Sequence, residues 1–98
     1  MLHIVNKSPH DRPTLQSVAR IAQTGAVLLI EDGVYGATKG NAAAGSVTEL
    51  AKRVKVYALL PDLEARGVAD RLIEGVTTVD YGGFVDLVAE YPTCQTWL

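Results

Sequence analysis

Four short aliphatic runs, Leu2–Asn6, Ala26–Ile30, Val54–Leu60 and Val76–Asp80, alternate with segments of helical period, and this alternation most constrains the fold. Leu2–Asn6 and Ala26–Ile30 read as buried strands covered on both faces, Val54–Leu60 alternates and then runs apolar, and Val76–Asp80 is a short fourth strand. Thr14–Gln23 carries Leu15, Val18, Ala19, Ile21 and Ala22 at helical spacing, and Thr24-Gly25 stops it. Val34–Thr38 reads as a short helical turn. Ala42–Arg53 places Val47, Leu50 and Ala51 on one face, with Ser46 and Glu49 at capping-box spacing, so its firm part starts near Val47. Asp62 is positioned to cap a short helix over Leu63–Arg66 that Gly67 ends, and Val68–Leu72 forms a second turn. Tyr81–Tyr91 is amphipathic through Phe84, Val85, Leu87 and Val88, and Pro92 terminates it. Thr93–Leu98 is either a last strand or an arm. Strand and helix in alternation predict an α/β fold, one domain over residues 1–98. Its mostly parallel sheet carries helices on both faces, as right-handed crossovers require.

A chain of 98 residues buries only about 60–65% of its unfolded surface, which leaves a thin stability margin. At 48% hydrophobic and 20% charged residues, it is apolar for a small monomer, and part of that surface suits a partner subunit. Net charge is −2, and the small cluster Lys52, Arg53 and Lys55 reads as a solvated helix end. Direct nucleic-acid binding is not expected. The single cysteine excludes an internal disulfide. The first residues lack a signal-peptide pattern, and the longest apolar run, Ala26–Ile30, falls far short of the ~20 residues of a membrane helix. A cytoplasmic protein without membrane segments is expected.

In open parallel sheets, ligands bind beyond the C-terminal ends of the strands. Glu31-Asp32, Asp62 and Asp80 lie there. Carboxylates so placed can serve as acid and base or hold a divalent cation. The competing reading makes Asp32, Asp62 and Asp80 caps of turns or helices, and the lack of a recurring third ligand favours it. No metal site or cofactor is therefore expected. Gly33-x-x-Gly36 and Gly82-Gly83 match neither a dinucleotide fingerprint nor a P-loop. His3 reads as a half-buried strand residue and His10 as a loop residue. Ser8 and Ser17 sit in no nucleophile motif.

The lone thiol, Cys94, is the remaining candidate nucleophile. Its segment offers no cation to stabilise a thiolate: Arg71 is the nearest upstream, while Asp86 and Glu90 oppose ionisation. Nothing in the spacing brings either histidine to it.

"LHIVNKSP" at Leu2–Pro9, "LLIEDGVYGA" at Leu28–Ala37, "VYALLPDLEARG" at Val56–Gly67 and "VDYGGFVDLV" at Val79–Val88, with Trp97 near the end, resemble the TusB/DsrH family. The likeness spans essentially the whole chain in order. It implies a compact DsrEFH-like α/β domain and a heterohexamer with TusC/DsrF-like and TusD/DsrE-like subunits. Such complexes relay persulfide sulfur, in the Tus branch toward 2-thiolation of the tRNA wobble uridine and in the Dsr branch for sulfur oxidation. The resemblance assigns the essential persulfide cysteine to the TusD/DsrE-type subunit. DsrH-type members often carry a thiol in the first helix, within a segment like "LESCL"; the corresponding stretch here is Leu15–Ala19, and Val18 stands at that position. TusB-type members lack the thiol as well, whereas "NKSP", "EDGVYGA" and "VDYGGFVDLV" are closer to DsrH, so both branches stay open.

Three functions follow as expectations. The first is a non-catalytic subunit of a sulfurtransferase complex. The second is a DsrH-like sulfur carrier using Cys94. The third is a self-assembling protein with an unknown ligand. Aromatic residues anchor many interfaces, and Tyr35, Phe84 and Trp97 are the candidates here. Phe84 also suits the core face of its helix. Trp97 is favoured because a terminal tryptophan has little local chain to bury it.

Overall fold

The computed structural model describes residues 1–9, 13–22, 24–40 and 44–97. Five strands, β1 (Leu2–Val5), β2 (Ala26–Leu29), β3 (Lys55–Leu59), β4 (Val76–Val79) and β5 (Cys94–Trp97), form one sheet in the order β4-β3-β2-β1-β5. Every neighbouring pair is parallel. The helices are α1 (Thr14–Ile21), α2 (Ala44–Ala51), α3 (Leu60–Ala65) and α4 (Tyr81–Glu90). The α/β fold with a parallel sheet between helical layers is thus as the sequence predicts.

From β1 to β4 the chain steps always in one direction, and right-handed crossovers then stack every connection on the same face. On that face Val5, Val27, Leu29, Val56 and Ala58 pack against Leu15 and Val18 of α1, Val47 and Leu50 of α2, and Leu63 of α3. Each fully buried Leu or Val there contributes about 1.5–3 kcal/mol. The last crossover, from β4 at one edge to β5 beyond β1, runs the opposite way, so α4 lies on the other face. There Leu2, Ile4, Ala26 and Leu28 meet Leu87 of α4, with Tyr57, Val79 and Phe84 half-buried around them. One face is closed by three α-helices and the other by one.

Several elements differ from the sequence reading. The turn after β2 is a 3-10 segment from Glu31 to Ala37, beginning before Val34 because buried Gly33 lets it fold directly over the end of β1. The described part of α2 already starts at Ala44, so Ser46 lies inside the helix and does not cap it; Ala42 falls outside the described residues. α3 starts at Leu60 with Pro61 in its first turn, which puts Asp62 inside that turn. Gly67, at φ +68°, ends α3 as expected. The second turn is a 3-10 segment at Ala69–Arg71. α4 has the expected extent, but only Leu87 is buried and Phe84 half-buried, while Val85 and Val88 face outward. The tail is a strand: Leu2, His3, Ile4 and Val5 pair with Cys94, Gln95, Thr96 and Trp97.

Gly33 is the tightest joint between β1 and the 3-10 segment. A β-carbon there would stand 2.2 Å from the Val5 carbonyl oxygen, a backbone atom that cannot move without displacing β1. We expect Gly33→Ala to cost about 1–3 kcal/mol, read as a lower urea midpoint at unchanged slope. An unchanged midpoint would show that this joint is loose.

Candidate functional site

The C-terminal ends of the strands bring together most of the residues singled out from sequence. Glu31 follows β2 with a left-handed backbone, φ 49°, the one described non-glycine residue with positive φ. That conformation costs roughly 1–2 kcal/mol. The Glu31 N–H donates to Asp62 Oδ2 at 2.6 Å, a charge-assisted bond that holds the strained turn against α3. Arg66 then ties the two acids together. Its Nε and Nη2 stand 3.0 and 2.9 Å from Asp32 Oδ1, and its Nη1 is 3.3 Å from the Asp62 carbonyl oxygen and 3.8 Å from Asp62 Oδ1. Arg66 therefore holds Asp32 and Asp62, beyond the end of β2 and near the end of β3, in one cluster, with the Asp32 side chain still exposed. Asp80 caps α4, accepting from the Gly83 N–H at 2.8 Å. The capping reading thus holds for Asp80. For Asp62 it is corrected: the side chain braces the preceding crossover and not its own helix, because α3 starts two residues ahead of it. Asp32 is an ion-pair partner of Arg66, a residue the sequence reading did not single out. Among the described residues, no three His, Cys, Asp or Glu side chains gather as metal ligands would.

His3 and Trp97 form the second constellation. β5 lies against β1 in register, so Trp97 pairs with Val5 and its side chain points to the same face as His3. The indole Nε1–H donates to His3 Nδ1 at 3.1 Å, with ring centroids 6.0 Å apart. His3 is buried and Trp97 half-buried against the first core. β1, at the far end of the sequence, supplies Trp97 with a partner that sequence distance concealed. Tyr35 is likewise half-buried against the first core, and Phe84 against the second.

Cys94 is exposed at the start of β5. It pairs with Leu2 and so points to the α4 face, whereas His3 points to the α1 face. The two are held on opposite sides of the sheet. Three residues of strand, about 10 Å, separate Cys94 from the rim that holds the acids. His10 falls outside the described residues. Val18 is fully buried in the first core, and no side chain at that position reaches solvent. Ser8 is buried after β1 and Ser17 is half-buried in α1. Asn6 Oδ1, at the end of β1, is a buried oxygen with no hydrogen-bond partner among the described residues.

At the opposite end of the sheet, a shallow hollow of about 510 Å³ is lined by Gly25, Ala51, Lys52, Arg53, Val54, Lys55 and Tyr91. Lys52 pairs with Glu49 at 3.1 Å at an exposed helix end, whereas the Arg53 guanidinium donates to the Ala19 carbonyl and so ties α2 to α1.

The DsrH-like protein family is matched over residues 7–94. The chain belongs to the DsrH/TusB family. TusB of Pectobacterium parmentieri is 33% identical, covering 99% of this chain and 100% of the relative. TusB of Escherichia coli is 32% identical over 97 residues, covering 99% and 100%. Among solved structures, the ychN protein of E. coli superposes with a TM-score of 0.82 at 16% identity, covering 98% and 97% of the two chains. A protein of unknown function from Methanobacterium thermoautotrophicum gives 0.77 at 22%, covering 98% and 96%. These structural likenesses concern the fold. Among the described residues no helix is long and apolar enough to cross a membrane.

The His3–Trp97 bond makes a pH prediction for this family member. Nδ1 must be unprotonated to accept from the indole. Burial first, and then the charge of the N-terminal amine, hold the imidazole below its ordinary value of 6.5. The unfolded chain thus binds a proton that the folded chain resists, so this contribution is complete above pH 6.5 and is lost as pH falls through and below it. The urea midpoint should fall between about pH 7.5 and 5.5, and His3→Gln should remove that part of the slope. An identical slope in the variant would contradict the assignment.

Proposed function

We propose that the chain is a non-catalytic subunit of a cytoplasmic heteromeric sulfur-relay complex, acting beside TusC/DsrF-like and TusD/DsrE-like subunits. In this reading it resembles TusB, and the complex passes persulfide sulfur toward 2-thiolation of the tRNA wobble uridine. The supporting observation is chemical economy: in a chain alike to TusB along its full length, the candidate aspartates and His3 are engaged in other contacts. Asp32 and Asp62 are tied by Arg66, His3 by Trp97, and Val18 fills the core where the resemblance looks for a thiol. What such a subunit supplies is shape. It presents a rigid sheet edge and helical surface against which a partner's persulfide site is held in place.

One observation favours a second reading. Cys94 is exposed on an edge strand, where a sulfur donor could reach it, and this suits a DsrH-like sulfur carrier of a sulfur-oxidation complex. The two readings part on a single substitution. In the reconstituted complex, Cys94→Ser should leave sulfur transfer within about twofold of the parent. Loss of transfer with assembly intact, together with gain of one sulfur atom by the isolated parent on treatment with a persulfide donor, would make Cys94 a carrier. Failure of the parent chain to co-purify with the two other subunits would refute the subunit assignment itself.

A further inference from the structure

β5 is held to the rest of the molecule by its ladder to β1 and by one side chain. Cys94, Gln95 and Thr96 are exposed, and Trp97 is the one β5 residue packed against either core. β1, by contrast, lies between β2 and β5, and all four of its residues are buried. The Trp97 indole reaches His3 Nδ1 across the two strands. An indole N–H can only donate, so this contact exists only while Nδ1 carries a lone pair.

A proton on Nδ1 sets donor against donor and leaves a buried cation without a counter-ion. Among the described residues, β2 and β5 carry no charged side chain, and α1 turns Leu15, Val18, Ala19 and Ala22 toward this face. Arg20, in the last turn of α1, and Lys7, beyond β1, are exposed cations. Glu31 and Asp32 of the 3-10 segment are exposed beyond the strand ends, with Asp32 paired to Arg66. Burial first, and then the positive Met1 amine, oppose protonation in place. Something has to move, and the edge strand costs least. Displacing His3 disturbs β1 and both of its neighbours, whereas displacing Trp97 disturbs only the four-residue ladder between β5 and β1.

We infer that β5 is a strap that opens when His3 takes up a proton from solvent at Nδ1. Trp97 then leaves the core and Cys94–Trp97 detaches from β1, while β1 to β4 and their helices stay folded. The device is independent of the subunit reading above. Opening turns β1, a buried apolar strand, into the edge of the sheet, the position at which other strands pair. The closed strap resists the proton, and the open one binds it at the ordinary value of 6.5. The closed form is therefore fully favoured above pH 6.5 and loses about a factor of ten for each pH unit below it.

Trp97 is the single tryptophan, so its fluorescence reports the strap directly. As the full chain is taken from about pH 7.5 to 4.5, its emission maximum should move to longer wavelength and acrylamide quenching should rise, with far-UV circular dichroism retained. Amide protection in β5 should fall about tenfold per pH unit below 6.5, and α1 and α2 should still be protected where β5 no longer is. His3→Gln keeps an acceptor for the indole but takes up no proton, and should hold emission and β5 protection level across the range. Trp97→Phe should leave β5 poorly protected at every pH. Unchanged emission in the parent, a change that persists in His3→Gln, or one that coincides with loss of circular dichroism would overturn the strap. If His3→Gln does not fold, Trp97→Phe decides: β5 protection equal to the parent's at about pH 7.5 would overturn it as well.

Discussion

The handedness of parallel crossovers determines most of what is distinctive in this molecule. Three crossovers in one direction wrap α1, α2, α3 and the 3-10 segments over one face of the sheet, and the single returning crossover leaves α4 alone on the other. A sheet of five strands is about 20 Å wide from first to last strand, and one helix about 10 Å across cannot cover it. The first face is therefore a finished core. The second is a smaller core, and its one helix presents valines and a tyrosine to solvent.

The remaining polar features serve that frame. The strained Glu31 turn, the Asp62 bond that holds it and the Arg66 bridge fix the crossover from β2 into the first layer. The His3–Trp97 bond fastens β5, an edge strand of four residues whose other side is open, to β1. In a doubly wound enzyme, the strand ends and the switch between β1 and β5 would be the place for chemistry. Here Asp32, Asp62 and Arg66 at that rim hold one another.

Much of this was legible in the sequence, for reasons that differ by element. β2 is apolar throughout and β1 is broken only by His3, which marks both as buried strands, whereas Lys55 in β3 and Thr77 and Thr78 in β4 make those two less plain. Asp80 could be read as the cap of α4 because it directly precedes the helix, and the bond is local. Asp62 could not be read in this way: its partner, the Glu31 amide, is 31 residues distant and becomes a neighbour only when β2 and β3 pair. Trp97 and His3, 94 residues apart, meet for the same reason. Periodicity also misassigned Val85 and Val88. It identifies an apolar side of a helix but cannot say whether that side meets the sheet or another chain. Strand order settles this, and strand order is a property of the whole topology.

The central claim is that the two faces of the sheet are unequally covered, and amide hydrogen exchange tests it most directly. In the isolated chain, the amides of Tyr81–Glu90 should exchange well before those of α1 and α2, since only Leu87 anchors the helix fully. Protection of α4 equal to that of α1 in the isolated chain would contradict the account.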